Sequence, residues 1–263
     1  ALPPMTGTRN AGATPSGTRA LVGARIGKGS ISVEPFYSAT GSDWYSTLTA
    51  YSLSVDPTTR AIVSETAWEA SAKMPRPTAR NVWMAKDGAV QAFSASNLEL
   101  TDLCSKPSGL YGGMLRCNGL DALADKATAV SYLLGDTSQE MRFQGKLRDR
   151  TTVLCDIINS TPLLSSPSDD YGYRRLGNVG DSYVEYLASK RDDRRYMVYA
   201  GANDGMLHAF DGGMGSDGRQ DAQGGKEVFG YVPATALGHM GNLLVPYDAS
   251  AEEDSSFEHR YFV

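Results

Sequence analysis

The residues best equipped for metal or nucleophilic chemistry are His208, His239, His259, Cys104, Cys117 and Cys155. Metal sites built from such residues need ligands at short, regular spacing, and no His or Cys pair here has it. His208 falls within a strand-like run, where a packed, hydrogen-bonded imidazole is a commoner outcome than a ligand. Cys104 and Cys117 bracket a short Gly-containing loop. In an exported chain such a pair closes a disulfide and leaves Cys155 buried and reduced; the alternative is three buried thiols. Gly27-Lys28-Gly29-Ser30 looks like the end of a phosphate loop but fails its spacing. Val22 stands where the first glycine belongs, and Gly29 follows Lys28 where Ser or Thr is required. Asp211, Asp217 and Asp221 lie in a Gly-rich stretch without the alternating ligands and closing Glu of a calcium loop. Asp156 and Asn159 are placed to cap turns or hold an ion, and capping is the usual use of short polar side chains. Neither a Gly-x-Ser-x-Gly elbow nor a Gly-x-Gly-x-x-Gly loop is present. The expectation is a chain without catalytic, cofactor-binding or metal residues.

The elements around these residues read as strands. Tyr196 to Asp211 consists of two apolar arms around Ala202-Asn203-Asp204-Gly205. Asn and Asp bond back to their own backbone and Gly accepts a positive φ, so the tetrad predicts a tight hairpin turn. Glu227 to Val232 predicts a third strand, stopped by Pro233. Strand, Asp-Gly turn, strand, loop, strand is the meander of a β-propeller blade. Upstream, Tyr51, Leu53 and Val55 alternate with Ser52 and Ser54, and Ala61 to Trp68 returns after the turn at Pro57–Arg60. Arg80 to Phe93 forms a further hairpin around Lys86-Asp87-Gly88. Strands recurring about every ten residues between turn signals predict an all-β fold. Leu120, Leu123, Ala127, Val130 and Leu134 repeat at helical spacing, which predicts one helical insertion around 118–135, with Gly135 as its stop. A short helix is expected over Tyr183 to Lys190. Residues 1–18 read as a flexible segment, and 19–263 as part of one propeller domain. Of the fourteen residues 212–225, six are Gly, so disorder or a partner-binding excursion is expected there.

Composition narrows the function classes. The chain has 263 residues, 28 Gly, 14 Tyr and a net charge of −5. Phosphate neutralisation requires a basic stripe, and none is present, so nucleic acid is not expected as a partner. No apolar run approaches the roughly 20 residues of a membrane helix, and the start at Ala1-Leu2-Pro3-Pro4 reads as a processed or trimmed end.

Gly201-Ala202-Asn203-Asp204-Gly205-Met206-Leu207-His208-Ala209-Phe210 resembles the signature of the PilY family, tip-associated adhesins and biogenesis factors of bacterial type IV pili. A second match is Leu147 to Pro162, which resembles the family's Arg-x-Arg and Leu-Gly-Asp-Ile-x-Asn-Ser-x-Pro run, with Cys155 in place of the usual Gly. A looser third match is carried by Trp44, Leu48, Ala50, Tyr51, Trp68, Ala70 and Arg80. The resemblance implies a partial β-propeller with structural signature residues at Trp44, Trp68, Asp156, Asn159, Asn203, Asp204, Gly205 and His208. It implies a non-enzymatic protein exported to the cell surface at the pilus tip. Such a protein docks on minor pilins, promotes pilus assembly and contributes to adhesion to host or abiotic surfaces and to twitching motility. The remainder of the propeller is the other implied partner, and since function on a rigid platform sits in its loops, 94–117, 165–181 and 212–225 are the candidate interface loops. The family's calcium loop lies downstream of His259-Arg260-Tyr261, so calcium is expected there and not in this chain. Leu134-Gly135-Asp136 lacks the Arg of the family's Arg-Gly-Asp/Glu-like tripeptide, and no cell-receptor function carries over. The alternative is a quinoprotein-like propeller dehydrogenase, whose Asp-Gly-x-Leu-x-Ala repeat is similar. Against it, no two cysteines are adjacent and one clear copy of the repeat is present.

Overall fold

The computed structural model describes residues 20–21, 30–40, 43–104, 119–166, 172–193, 196–214, 219–250 and 256–261. The expected flexible segment 1–18 lies outside them. Two sheets dominate, as the all-β expectation requires. The first is an antiparallel meander of β1 (Ala20–Leu21), β2 (Ser30–Thr40), β3 (Asp43–Val55) and β4 (Ile62–Glu69). β2 and β3 pair without a break from Ser30↔Leu53 to Thr40↔Asp43. β3 and β4 are joined by a turn in which Asp56 Oδ1 accepts from the backbone N–H of Thr58 (2.8 Å) and Thr59 (2.6 Å). This is the local capping that makes Asp a turn former.

The second sheet contains β5 (Val82–Lys86), β6 (Ala89–Ala92), β7 (Leu163–Ser165), β8 (Met197–Ala202), β9 (Met206–Asp211) and β10 (Glu227–Val232). Its order is β6-β5-β10-β9-β8-β7. Strands β7 to β10 make the antiparallel meander expected of a blade, and β10 then pairs in parallel with β5. Both predicted hairpin turns are present. Gly205 has φ +83°, and Asp87 and Gly88 are positive at 53° and 76°. Two consecutive positive φ values are the mark of a twist-matched two-residue hairpin turn. No ring of blades closes among the described residues.

One face of the second sheet carries the core. Side chains alternate along a strand, so Met206, His208 and Phe210 of β9 point the same way. Phe210 joins a cluster with Ile31, Val33, Leu48 and Trp68 of the first sheet and Val198 and Ala200 of β8. Met206 joins a different cluster, with Val82 and Met84 of β5, Val232 of β10 and a layer of short helices. These are α1 (Leu120–Leu123), α2 (Lys126–Leu133) and α4 (Ala234–Leu237). The first sheet thus covers one part of the face, the helical layer covers another, and His208 stands between them.

The insertion at 118–135 is two helices rather than one. Ala124 is extended at φ −154°, ψ 147°, and Asp125 restarts the helix by accepting from Thr128 N–H. A side-chain N-cap satisfies a donor that the helix leaves open, so Asp125 starts a second helix inside the run read as one. The helix expected at Tyr183–Lys190 runs further in both directions, as α3 (Gly177–Asp193). Among the described residues no helix is long and apolar enough to cross a membrane.

Candidate functional site

The hairpin turn at 202–205 feeds a line of buried charge at the seam between the two clusters. His208 Nε2 lies 3.0 Å from Asp204 Oδ2, and its Nδ1 lies 2.7 Å from Glu227 Oε1. Arg80 grips Glu227 with two bonds, Nε to Oε2 at 2.6 Å and Nη2 to Oε1 at 2.7 Å. Arg80 Nη1 also donates to the carbonyls of Leu133 and Leu134 at the end of α2. All four side chains belong to buried residues, and His208 is wholly shielded from solvent. Burial alone would favour the neutral imidazole. The Asp204 and Glu227 carboxylates outweigh it and raise the His208 pKa to about 9. Burial likewise opposes ionisation of Glu227, but the bonds from His208 and Arg80 bring its pKa down to about 2. The row Asp204, His208, Glu227, Arg80 is therefore an alternation of negative and positive charge, each bonded to the next.

A second buried constellation is centred on Asp156. Asn203 Nδ2 donates to Asp156 Oδ2 at 2.6 Å, and Asn203 N–H donates to the Asp156 carbonyl at 2.9 Å. His259 Nε2 sits 2.9 Å from Asp156 Oδ1. Trp44 stacks on the His259 ring at 3.9 Å, and Tyr261 meets it edge-on at 4.6 Å. Neighbours of Asp156 tie down both sheets: Tyr45 bridges to Cys155, Ile157 N–H donates to Ser46 Oγ, and Gly201 N–H donates to Ser160 Oγ. Asp156 is thus a tertiary clamp rather than a turn cap. Asn159 is exposed, with φ +64°, and serves as a bend residue; Asn tolerates that conformation better than most side chains.

Trp68 organises the Gly-rich loop. Its Nε1 donates to the Gly212 carbonyl at 2.9 Å. A Cβ at Gly213, Gly224 or Gly225 would lie 3.0, 2.4 or 2.9 Å from the indole. Lys73 Nζ closes the contact on the Gly224 carbonyl at 2.7 Å. The described parts of 212–225 are therefore packed, not disordered: the glycines let backbone lie against a large ring.

Sequence reasoning missed the Arg-x-Arg framework as a site. Arg150 bonds Glu140 Oε1 at 3.0 Å and the carbonyls of Tyr132 and Asp136 at 2.9 Å, with its guanidinium 3.6 Å over the Tyr132 ring. Arg148 lies 4.1 Å over Phe257 and donates to the Leu243 carbonyl. Glu140 and Glu227 carry no sequence motif that marks them, and His259, considered only as a metal ligand, serves Asp156 instead. The usable signal was the lone Glu that opens an otherwise apolar strand at Glu227-Val228-Phe229.

Burial pushes the free Cys155 thiol up to about 12, which removes it as a nucleophile at neutral pH. Cys104 is disulfide-bonded; Cys117, its expected partner, lies outside the described residues. Among the described residues, no group of three or more His, Cys, Asp or Glu is placed to hold a metal ion. Of the expected signature residues, the structure joins Asn203 directly to Asp156, Trp44 to Asp156 through His259, and Asp204 to His208, with Gly205 in the turn between them; Trp68 and Asn159 stand apart from both.

The chain is 32% identical over 241 residues to a type IV pilus biogenesis factor PilY1 homolog of Xylella fastidiosa, covering 91% of this chain and 16% of that protein. A second such homolog from the same organism is 29% identical over 277 residues, covering 94% and 17%. Type IV pilus biogenesis factor PilY1 of Pseudomonas aeruginosa is 26% identical over 235 residues, covering 86% and 17%. The chain thus spans about a sixth of the length of these relatives. No protein-family model and no solved structure matches it. Identity of 26–32% over 86–94% of the chain to these relatives identifies it as a region of the PilY family.

Proposed function

We propose that this chain is part of the β-propeller of a type IV pilus biogenesis factor that works at the pilus tip without catalysis. In this reading it docks on minor pilins, promotes pilus assembly and contributes to surface adhesion and twitching motility. The observation that carries the reading is the use made of the signature residues. Asn203, Asp204 and His208 are buried and bonded to protein groups, so what the hairpin motif supplies is a rigid support. Function then resides in surface and loops. The relatives' names supply the pilus, and the exported location follows from the same reading.

The propeller is supported by the outward face of the second sheet. Trp83, Tyr231 and Leu207 are direct cross-strand neighbours there, with Leu163, Tyr199 and Phe229 in the adjoining row. Trp83, Leu207 and Leu163 are 41, 39 and 58% exposed. An apolar, aromatic sheet face of this kind suits a further blade of the longer protein.

The test is capture of purified minor pilins by the full-length protein, compared with one lacking this region, together with pilus counts and twitching in cells carrying each form. Loss of capture, pili and twitching without the region is expected. Normal pili without it would overturn the reading, as would a quinone spectrum after reconstitution with calcium and a quinone cofactor.

A further inference from the structure

We infer that the free edge of β4 is a docking site for an extended peptide segment that carries a basic residue, bound by strand addition. This goes beyond the pilus reading and does not depend on it. β4 ends the first sheet, with β3 on one side and, among the described residues, no strand on the other. An open edge offers unpaired N–H and C=O groups to any extended chain, and proteins usually blunt it by shortness, Lys, Pro or a cover. In the second sheet the edges are blunted in this way. β7 has three residues and follows Pro162, and β6 has four. β4 has eight residues, Ile62 to Glu69, with no Lys, Arg or Pro. Residues 62–66 are exposed one after another, including Ile62 at 62% and Val63 at 37%.

The ladder tells which groups are offered. Asp56 N–H donates to the Ala61 carbonyl, and these two residues continue the register Val55↔Ile62. Bonded and non-bonded pairs alternate in an antiparallel ladder. Hence Ser54↔Val63 and Ser52↔Glu65 exchange bonds, while Ile62, Ser64 and Thr66 turn their backbone groups away from β3. Relative to an incoming strand, Glu65 then occupies a closely spaced, non-bonded position, where an opposite charge acts most strongly. Among the described residues Glu65 makes no ion pair. The occupant that fits is an extended segment with Lys or Arg facing Glu65 and apolar residues near Ile62 and Val63. A second copy fits less well. The two-fold register centred on Ser64 sets Glu65 against Val63, and the next sets Glu65 against Glu65.

The experiment uses the full chain and two acetylated, amidated peptides, Val-Thr-Val-Lys-Val-Thr-Val and the same peptide with Glu in place of Lys. The Lys peptide should slow amide exchange at Ile62, Ser64 and Thr66 and bind about threefold to fivefold more tightly than the Glu peptide. Ser64→Pro removes one outward N–H without touching the β3 ladder and should abolish the protection. Should that variant fail to fold, Glu65→Lys keeps the question open to test, since it should reverse the preference between the peptides. Binding of neither peptide, equal binding by S64P, an unchanged preference in E65K, or a dimer by light scattering that S64P dissolves would each overturn the proposal.

Discussion

His208 and Glu227 face each other across β9 and β10, Nδ1 to Oε1 at 2.7 Å, where the sheet meets both hydrophobic clusters. The pair is held from outside by Asp204 on the imidazole and Arg80 on the carboxylate. Removing one member of a buried, bonded charge pair strands the other in a medium that solvates it poorly. His208→Ala should therefore cost about 3–5 kcal/mol, read as a lower urea midpoint with an unchanged slope. His208→Gln, which can keep one donor, should lose less.

The same row predicts a stability plateau with two flanks. The His208 pKa is raised from 6.5 to about 9, so its contribution is complete below 6.5 and fades as pH climbs through 9. The Glu227 pKa is lowered from 4.5 to about 2, so its contribution is complete above 4.5 and fades as pH falls through 2. Denaturation midpoints from pH 2 to 10 should peak between about 4.5 and 6.5. The decline on the alkaline side should be shallower in His208→Gln; an identical profile would show that the imidazolium is not what titrates.

Gly224 is the tightest point against Trp68, where an added Cβ would lie 2.4 Å from the indole Cδ1. Gly224→Ala must push the ring or the loop aside, a cost of about 1–3 kcal/mol for overpacking. Thermal unfolding followed by tryptophan fluorescence checks it. Trp68→Phe keeps much of the ring but leaves the Gly212 carbonyl without its donor, a loss of about 1–3 kcal/mol.

The two asparagines of the signature should behave in opposite ways. Asn203 holds Asp156 by side chain and backbone, so Asn203→Ala leaves a buried carboxylate short of a donor and should destabilise by about 1–3 kcal/mol. Hydrogen exchange should quicken at 256–261, since His259 shares that carboxylate. Asn159 is exposed with φ +64°. Glycine accepts that conformation freely, and Asn159→Gly should stay within about 0.5 kcal/mol of the parent.

Local chemistry made several parts legible from the chain alone. Asp204-Gly205 and Asp87-Gly88 specify their turns locally, through Asp204 Oδ1 accepting from Met206 N–H and through positive φ at Gly205, Asp87 and Gly88, whereas the Asn203 side chain, expected to bond its own backbone, reaches Asp156 instead. Period-two alternation and turn spacing sufficed for the all-β class and for the longer strands but not for the three-residue β7, and the motif resemblance sufficed for the family. The single helix read at 118–135 broke because Asp125 caps a new helix through Thr128. The placement of the polar residues was decided only in three dimensions. Arg80 and Glu227 are 147 positions apart, Asp156 and His259 are 103 apart, and Trp68 meets Gly212 across 144. No local pattern encodes such partners. Each is fixed when two sheets and a helical layer close over the same face, where a buried charge persists only if another element brings its counter-charge.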